Sequence, residues 1–108
     1  MKVITTGYKY ELSSFEDGPA QTLQFIEKER ITKEPGSDAV VDKLVTINDG
    51  TTNEEVLRVL IDRLNYLQGK CSCRENAIVI TKLEEALLWL NYRTTQRQSR
   101  GVEGKPIS

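Results

Sequence analysis

Thr52-Asn53-Glu54-Glu55-Val56-Leu57-Arg58-Val59-Leu60-Ile61-Asp62-Arg63-Leu64-Asn65-Tyr66-Leu67-Gln68-Gly69 reads as one complete amphipathic helix. Thr52 supplies a hydroxyl at the cap and Glu55 a carboxylate three residues on, which is the capping-box pattern. Val56, Leu60, Leu64 and Leu67 recur at helical spacing, and Leu57 and Ile61 widen the stripe. Gln68-Gly69 predicts the helix end, because glycine tolerates the left-handed cap conformation. Lys70 to Arg74 is then a short turn. A second helix follows from about Glu75 to Arg97 or Arg100, with Ile80, Leu83, Leu87 and Leu90 as its seam. Gly101 is expected to stop it, leaving Val102 to Ser108 as a loose tail. The pair forms an α-hairpin with a tight connection.

Upstream of this hairpin the period changes from helical to two. Tyr8, Tyr10 and Leu12 alternate with Lys9, Glu11 and Ser13, as a half-buried strand requires. Glu16-Asp17-Gly18-Pro19 breaks the run, and Thr22 to Glu27 reads as a returning strand. Lys33 to Asp38 is a second polar turn. Val40 to Ile47 is rich in β-branched residues and reads as a third strand, closed by Asn48-Asp49-Gly50. The expected fold is α+β: a small N-terminal antiparallel β-sheet followed by a long C-terminal α-helical hairpin. Residues 1–108 read as a single domain, with 1–50 the sheet part, 51–100 the hairpin and 101–108 the tail.

Composition narrows what such a chain can do. Its 108 residues carry a net charge of −1, with 29% charged side chains. Neither value suits a disordered chain or a basic nucleic-acid binder. The longest apolar run, Ala86 to Leu90, is far too short to span a bilayer, and Met1 to Thr6 lacks the apolar core of a secretory signal. A soluble, intracellular protein is expected. The sequence contains no histidine. That removes the commonest general base, the commonest metal ligand and every Ser–His or Cys–His nucleophile. Cys71 and Cys73 are too few for a zinc site and too close to bridge readily, so they read as two reduced thiols in a turn. There is no Walker-type phosphate loop and no GxGxxG. No catalytic residue, metal site or cofactor is expected.

Two clusters carry binding chemistry instead. Arg93, Arg97 and Arg100 stand at i, i+4 and i+7, on one face of one helix end, with no acid at i±3 or i±4 from Arg93 or Arg97. Guanidinium forks match phosphate oxygens, although cations near a helix C-terminus also suit the macrodipole with no ligand at all. Tyr66 near the end of the first helix can stack on a base, and Asn76 at the start of the second can pair with the edge of adenine. The plainer readings are a tyrosine in the helical core and an asparagine cap. Asn76 and Arg93 are seventeen residues apart, roughly 25 Å along a helix. One small ligand cannot touch both within one chain. Two chains packed antiparallel would bring the turn of one beside the arginines of the other, giving two identical pockets. Ile78, Val79, Leu88 and Trp89 lie off the main seam and supply apolar surface for such an interface.

The sequence also resembles a known family. The stretches Cys73-Arg74-Glu75-Asn76-Ala77, Thr81-Lys82-Leu83-Glu84-Glu85-Ala86-Leu87-Leu88-Trp89-Leu90 and Arg93 to Gly104 resemble a helical hairpin found in phage and prophage proteins. Asn48 to Val56, Gly7 to Leu12 and Gln21 to Glu27 fit as well. With both halves present, the chain is similar to the Thoeris anti-defence protein 1 family. The resemblance implies a sponge that binds glycocyclic ADP-ribose (gcADPR), the signal made by bacterial TIR-domain proteins upon infection, without cleaving it. It implies a homodimer with pockets at the interface, trimers of dimers in larger members, and separate sites for cyclic oligonucleotides in some of those. It places the work in the cytoplasm of the infected host, with no nucleic-acid or membrane partner. The ligand-binding residues it implies are Tyr66, Asn76, Arg93 and Arg97, the tyrosine keeping a stacking face and adding a hydroxyl. The rival readings are a binder of cyclic di- or trinucleotide signals (anti-CBASS), a structural phage interaction module, a signal hydrolase and a nucleic-acid accessory protein.

Overall fold

A computed structural model describes residues 1–33, 36 and 40–99. The expected turn at 33–38 lies mostly outside that set. So do Arg100, the stop at Gly101 and the tail. The fold is α+β, antiparallel strands followed by a two-helix hairpin, as the sequence patterning requires. The chain forms two compact units, meeting between Thr52 and Asn53.

The first unit holds two sheets where the sequence suggests one. Strands β1 (Lys2–Thr5), β2 (Lys9–Leu12) and β3 (Gln21–Gln24) form an antiparallel sheet in that order. Strands β4 (Glu27–Lys33) and β5 (Val40–Asn48) form a separate antiparallel ribbon. The run expected to be one strand from Thr22 to Glu27 is divided between them. The cause is a local exchange of hydrogen bonds around Phe25. Phe25 N donates to Tyr8 O at 2.7 Å, Ile26 N to Thr51 O at 2.9 Å, and Thr51 N to Gln24 O at 2.8 Å. The backbone of Gly50 must pass close by. A Cβ there would sit 2.5 Å from the Gln24 carbonyl oxygen and 2.6 Å from Phe25 C, so only glycine fits. On the sheet, Tyr10 and Phe25 pack edge to face at 6.0 Å. On the ribbon, Arg30 opposes Leu44 and forks onto Asp42, with Nε 2.8 Å from Oδ1.

The second unit is α1 (Asn53–Lys70) and α2 (Arg74–Ser99), joined by residues 71–73. Helix α1 starts directly after Thr52, as the capping pattern predicts. Its packing stripe keeps most of the positions read off the sequence: Val56, Leu57, Ile61, Leu64 and Leu67 are half-buried, joined by Gln68, whereas Leu60 is exposed. Positions 57, 61, 64 and 68 keep a 4-3-4 spacing that a straight seam needs, and Leu60 falls beside it. On α2 the covered positions are Asn76, Ile80, Leu83, Leu87, Leu90, Thr94 and Arg97. That is an unbroken alternation of four and three, the spacing of two helices packed side by side. Ile80 is the one buried apolar side chain among the described residues.

Candidate functional site

The α1–α2 connection is shaped by side chains, not by the glycine the sequence offers. Gly69 lies inside α1 and keeps a negative φ, so no left-handed cap forms there. Instead Cys71 N donates to Leu67 O at 2.9 Å and carries the helical pattern one step past Lys70. Ser72 Oγ donates to Gln68 O at 3.1 Å and satisfies a terminal carbonyl. The Gln68 side-chain amide then engages Cys73 twice. Nε2 donates to Cys73 O at 2.9 Å, and Cys73 N donates to Oε1 at 3.0 Å. Cys73 is also the cap of α2: Asn76 N donates to its Sγ at 3.4 Å, and Ala77 N to its carbonyl at 3.3 Å. Both cysteines are exposed free thiols.

This geometry settles the plainer readings of two candidates. Asn76 is not the cap of α2. It is the third residue of the helix, half-buried at the start of the packing seam, and Cys73 takes the capping role. Tyr66 is not core. It is 62% exposed, with the Lys70 ammonium 5.2 Å from its ring centroid. The ammonium and the ring make a cation–π contact on the hairpin surface.

Arg93 and Arg97 lie near the other end of α2. Arg93 is exposed; Arg97 is half-buried, in line with the seam. Asn76 and Arg97 therefore stand at opposite ends of one apolar stripe, in positions where simple packing would favour apolar side chains. Because α2 is a single unbroken helix, the separation of roughly 25 Å between Asn76 and Arg93 holds. The structure brings Tyr66 and Asn76 to one end of the hairpin and the two arginines to the other. Within one chain it does not bring all four together. An open depression of about 560 Å³ runs along α1, lined by Glu55, Arg58, Val59, Asp62, Arg63 and Tyr66, and includes none of the other three.

Along the outer side of the hairpin, Leu88, Trp89 and Tyr92 are exposed by 66%, 63% and 54%. Trp89 and Tyr92 pack edge to face at 5.8 Å. Val59 and Leu60 of α1 are exposed as well. Among the described residues no group of three or more Cys, Asp or Glu is arranged to hold a metal ion. No described helix is long and apolar enough to cross a membrane.

The sequence patterning missed Gln68 and Cys73. A glutamine in the last turn of a helix and a cysteine before the next carry no strong positional signal. The available clue was their placement five residues apart across a glycine.

These features define a class, an α+β protein built on an antiparallel helical hairpin with polar groups at both ends of its seam. The Acb2/Tad1 hairpin domain matches residues 27–95, and the chain belongs to that family. A protein of Bacillus phage SBSphiJ7 named Thoeris anti-defense 1 is 49% identical over 74 residues, covering 57% of this chain and 52% of the relative. The match thus spans about half the relative's length.

Proposed function

We propose that this protein is a sponge for gcADPR, which it binds and holds intact, and that it blocks Thoeris immunity in the cytoplasm of an infected bacterial host. The observation that carries this reading is the placement of two complementary half-sites at opposite ends of α2 in a chain of the Acb2/Tad1 hairpin family. Tyr66 and Asn76 offer a stacking face and an amide at the turn; Arg93 and Arg97 offer two guanidinium groups at the far end. The relative's name supports the anti-Thoeris role.

The working unit is a homodimer, with trimers of dimers as a higher assembly. A two-fold antiparallel arrangement sets the turn of one protomer beside the arginines of its partner and makes two equal pockets. The exposed Leu88, Trp89 and Tyr92 provide apolar area for the contact, since large aromatic side chains dominate interface energetics. In each pocket Arg93 and Arg97 of one protomer grip the pyrophosphate by charge-assisted hydrogen bonds. Tyr66 and Asn76 of the other stack on the adenine and bond its edge. Burial between protomers lowers the local dielectric and strengthens the clamp. The reading is of binding without chemistry: the sequence has no histidine to act as a base, and the ligand leaves as it came.

Calorimetric titration with gcADPR, beside an Arg97→Ala control, tests this. Tight uptake near one ligand per chain, lost in the control, with intact ligand recovered after denaturation, is expected. A wild-type protein that takes up no ligand overturns the assignment. Uptake of a cyclic di- or trinucleotide alone would then favour the anti-CBASS reading. Recovery of a cleaved product would make the protein a hydrolase.

A further inference from the structure

We propose that Gln68 is a positioning residue for the ligand site: its side-chain amide locks the turn so that Asn76 meets the ligand in one orientation. This rests on the reading of Asn76 as a ligand-binding residue. The observation is a chain of hydrogen bonds running from the last turn of α1 into the first turn of α2. Gln68 Nε2 donates to Cys73 O at 2.9 Å, and Gln68 Oε1 accepts from Cys73 N at 3.0 Å. The Cys73 thiol in turn accepts from Asn76 N at 3.4 Å. Turning the amide over would set donor against donor and acceptor against acceptor, so only one orientation satisfies both bonds. The Gln68 carbonyl is held too, by Ser72 Oγ at 3.1 Å. Gln68 thus ties Cys73 to α1 through its half-buried side chain and Ser72 through its backbone carbonyl.

The consequence for binding follows from the chemistry of recognition. An amide that reads a base edge works only over a narrow range of angles. Its backbone must therefore be fixed before the ligand arrives. Without the clamp, the first turn of α2 frays among several states. Apparent affinity falls in proportion to the fraction of chains in the competent one. Losing two neutral hydrogen bonds at about 1 kcal/mol each shifts the balance between competent and frayed turns by on the order of tenfold or more toward fraying.

The test is a double-mutant cycle on the full-length protein, with gcADPR as the probe. Gln68→Met keeps the length and loses both hydrogen bonds; Asn76→Ala removes the amide it positions. Gln68→Met is expected to weaken binding by about tenfold at a temperature where the hairpin is fully folded. In the Asn76→Ala background the same change should cost less than about twofold. Hydrogen exchange at the Cys73 and Asn76 amides should quicken in Gln68→Met while the centre of α2 stays protected. Equal losses in the two backgrounds would make the role merely structural and overturn the proposal. So would unchanged affinity in Gln68→Met. If the wild-type protein takes up no gcADPR, the reading of the site falls first and this proposal with it, an outcome that wild-type titration alone separates from the others.

Discussion

The two ends of α2 are built by different means. At its start, three residues of turn are tied by side-chain and backbone hydrogen bonds from Gln68, Ser72 and Cys73. At its other end α2 runs to Ser99, the last described residue. With 26 residues against the 18 of α1, it outruns its partner by eight, about 12 Å. Arg93 and Arg97 stand on that extension. The difference matches the chemistry proposed for each end. A base edge is told apart by direction, so its reader needs a fixed backbone. A pyrophosphate is gripped by charge and forked donors, which accept a wider range of approach.

The arginine end should show the largest effect. Replacing both Arg93 and Arg97 by alanine removes two charge-assisted contacts, each worth about 1.5–3 kcal/mol, and should weaken gcADPR binding by roughly a hundredfold to ten-thousandfold in calorimetry. A loss below about tenfold would mean that this end is not the anion clamp. Next comes the contact that brings the ends together. Leu88→Glu places a charge on the apolar face and stands at neither ±3 nor ±4 from Arg93 or Arg97. Sedimentation should then report monomers, and ligand uptake should fall with the dimer. Ligand-tight monomers would break the comparison at its root.

At the turn the effects should be smaller and more selective. Tyr66→Ala should weaken binding by about 5- to 100-fold, the range of one stacking contact, whereas Tyr66→Phe should stay within about twofold because the face is retained. The smallest change in affinity is expected from Gly50→Ala. Its new Cβ would collide with the backbone around Gln24 and Phe25, at a cost of about 1–3 kcal/mol, and should lower the thermal midpoint by several degrees. If the hairpin alone carries the recognition groups, the dissociation constant stays within about twofold of wild type well below that midpoint. A large loss of affinity would assign the β unit a share in the pocket.

Much of the hairpin was legible in advance. The capping pattern at Thr52, the seam from Ile80 to Leu90 and the short connection all follow from spacing, because a helix repeats every 3.6 residues and its local signals are strong. The β unit was less so. Its strands β2 and β5 were foreseen, but β1 and β4 were not. β1 has four residues and β4 is mostly charged, so neither presents the apolar alternation by which a strand is recognised. The split at Phe25 depends on pairing with Thr51, twenty-six residues away, which no local pattern encodes. The candidate residues came from their types and from family resemblance; what shapes their surroundings did not.

By itself, then, the sequence determined the class of fold, the absence of histidine chemistry and the distance between the two candidate half-sites, since helical rise converts residue spacing directly into length. Tertiary structure alone decided that Tyr66 faces outward, that Asn76 lies on the packing seam and Arg97 is half-buried in line with it, and that Cys73 rather than Asn76 caps α2. The physical reason is that periodicity defines a stripe only to within one neighbouring position. Which side chain turns inward is settled by the partner helix and by hydrogen bonds across the turn.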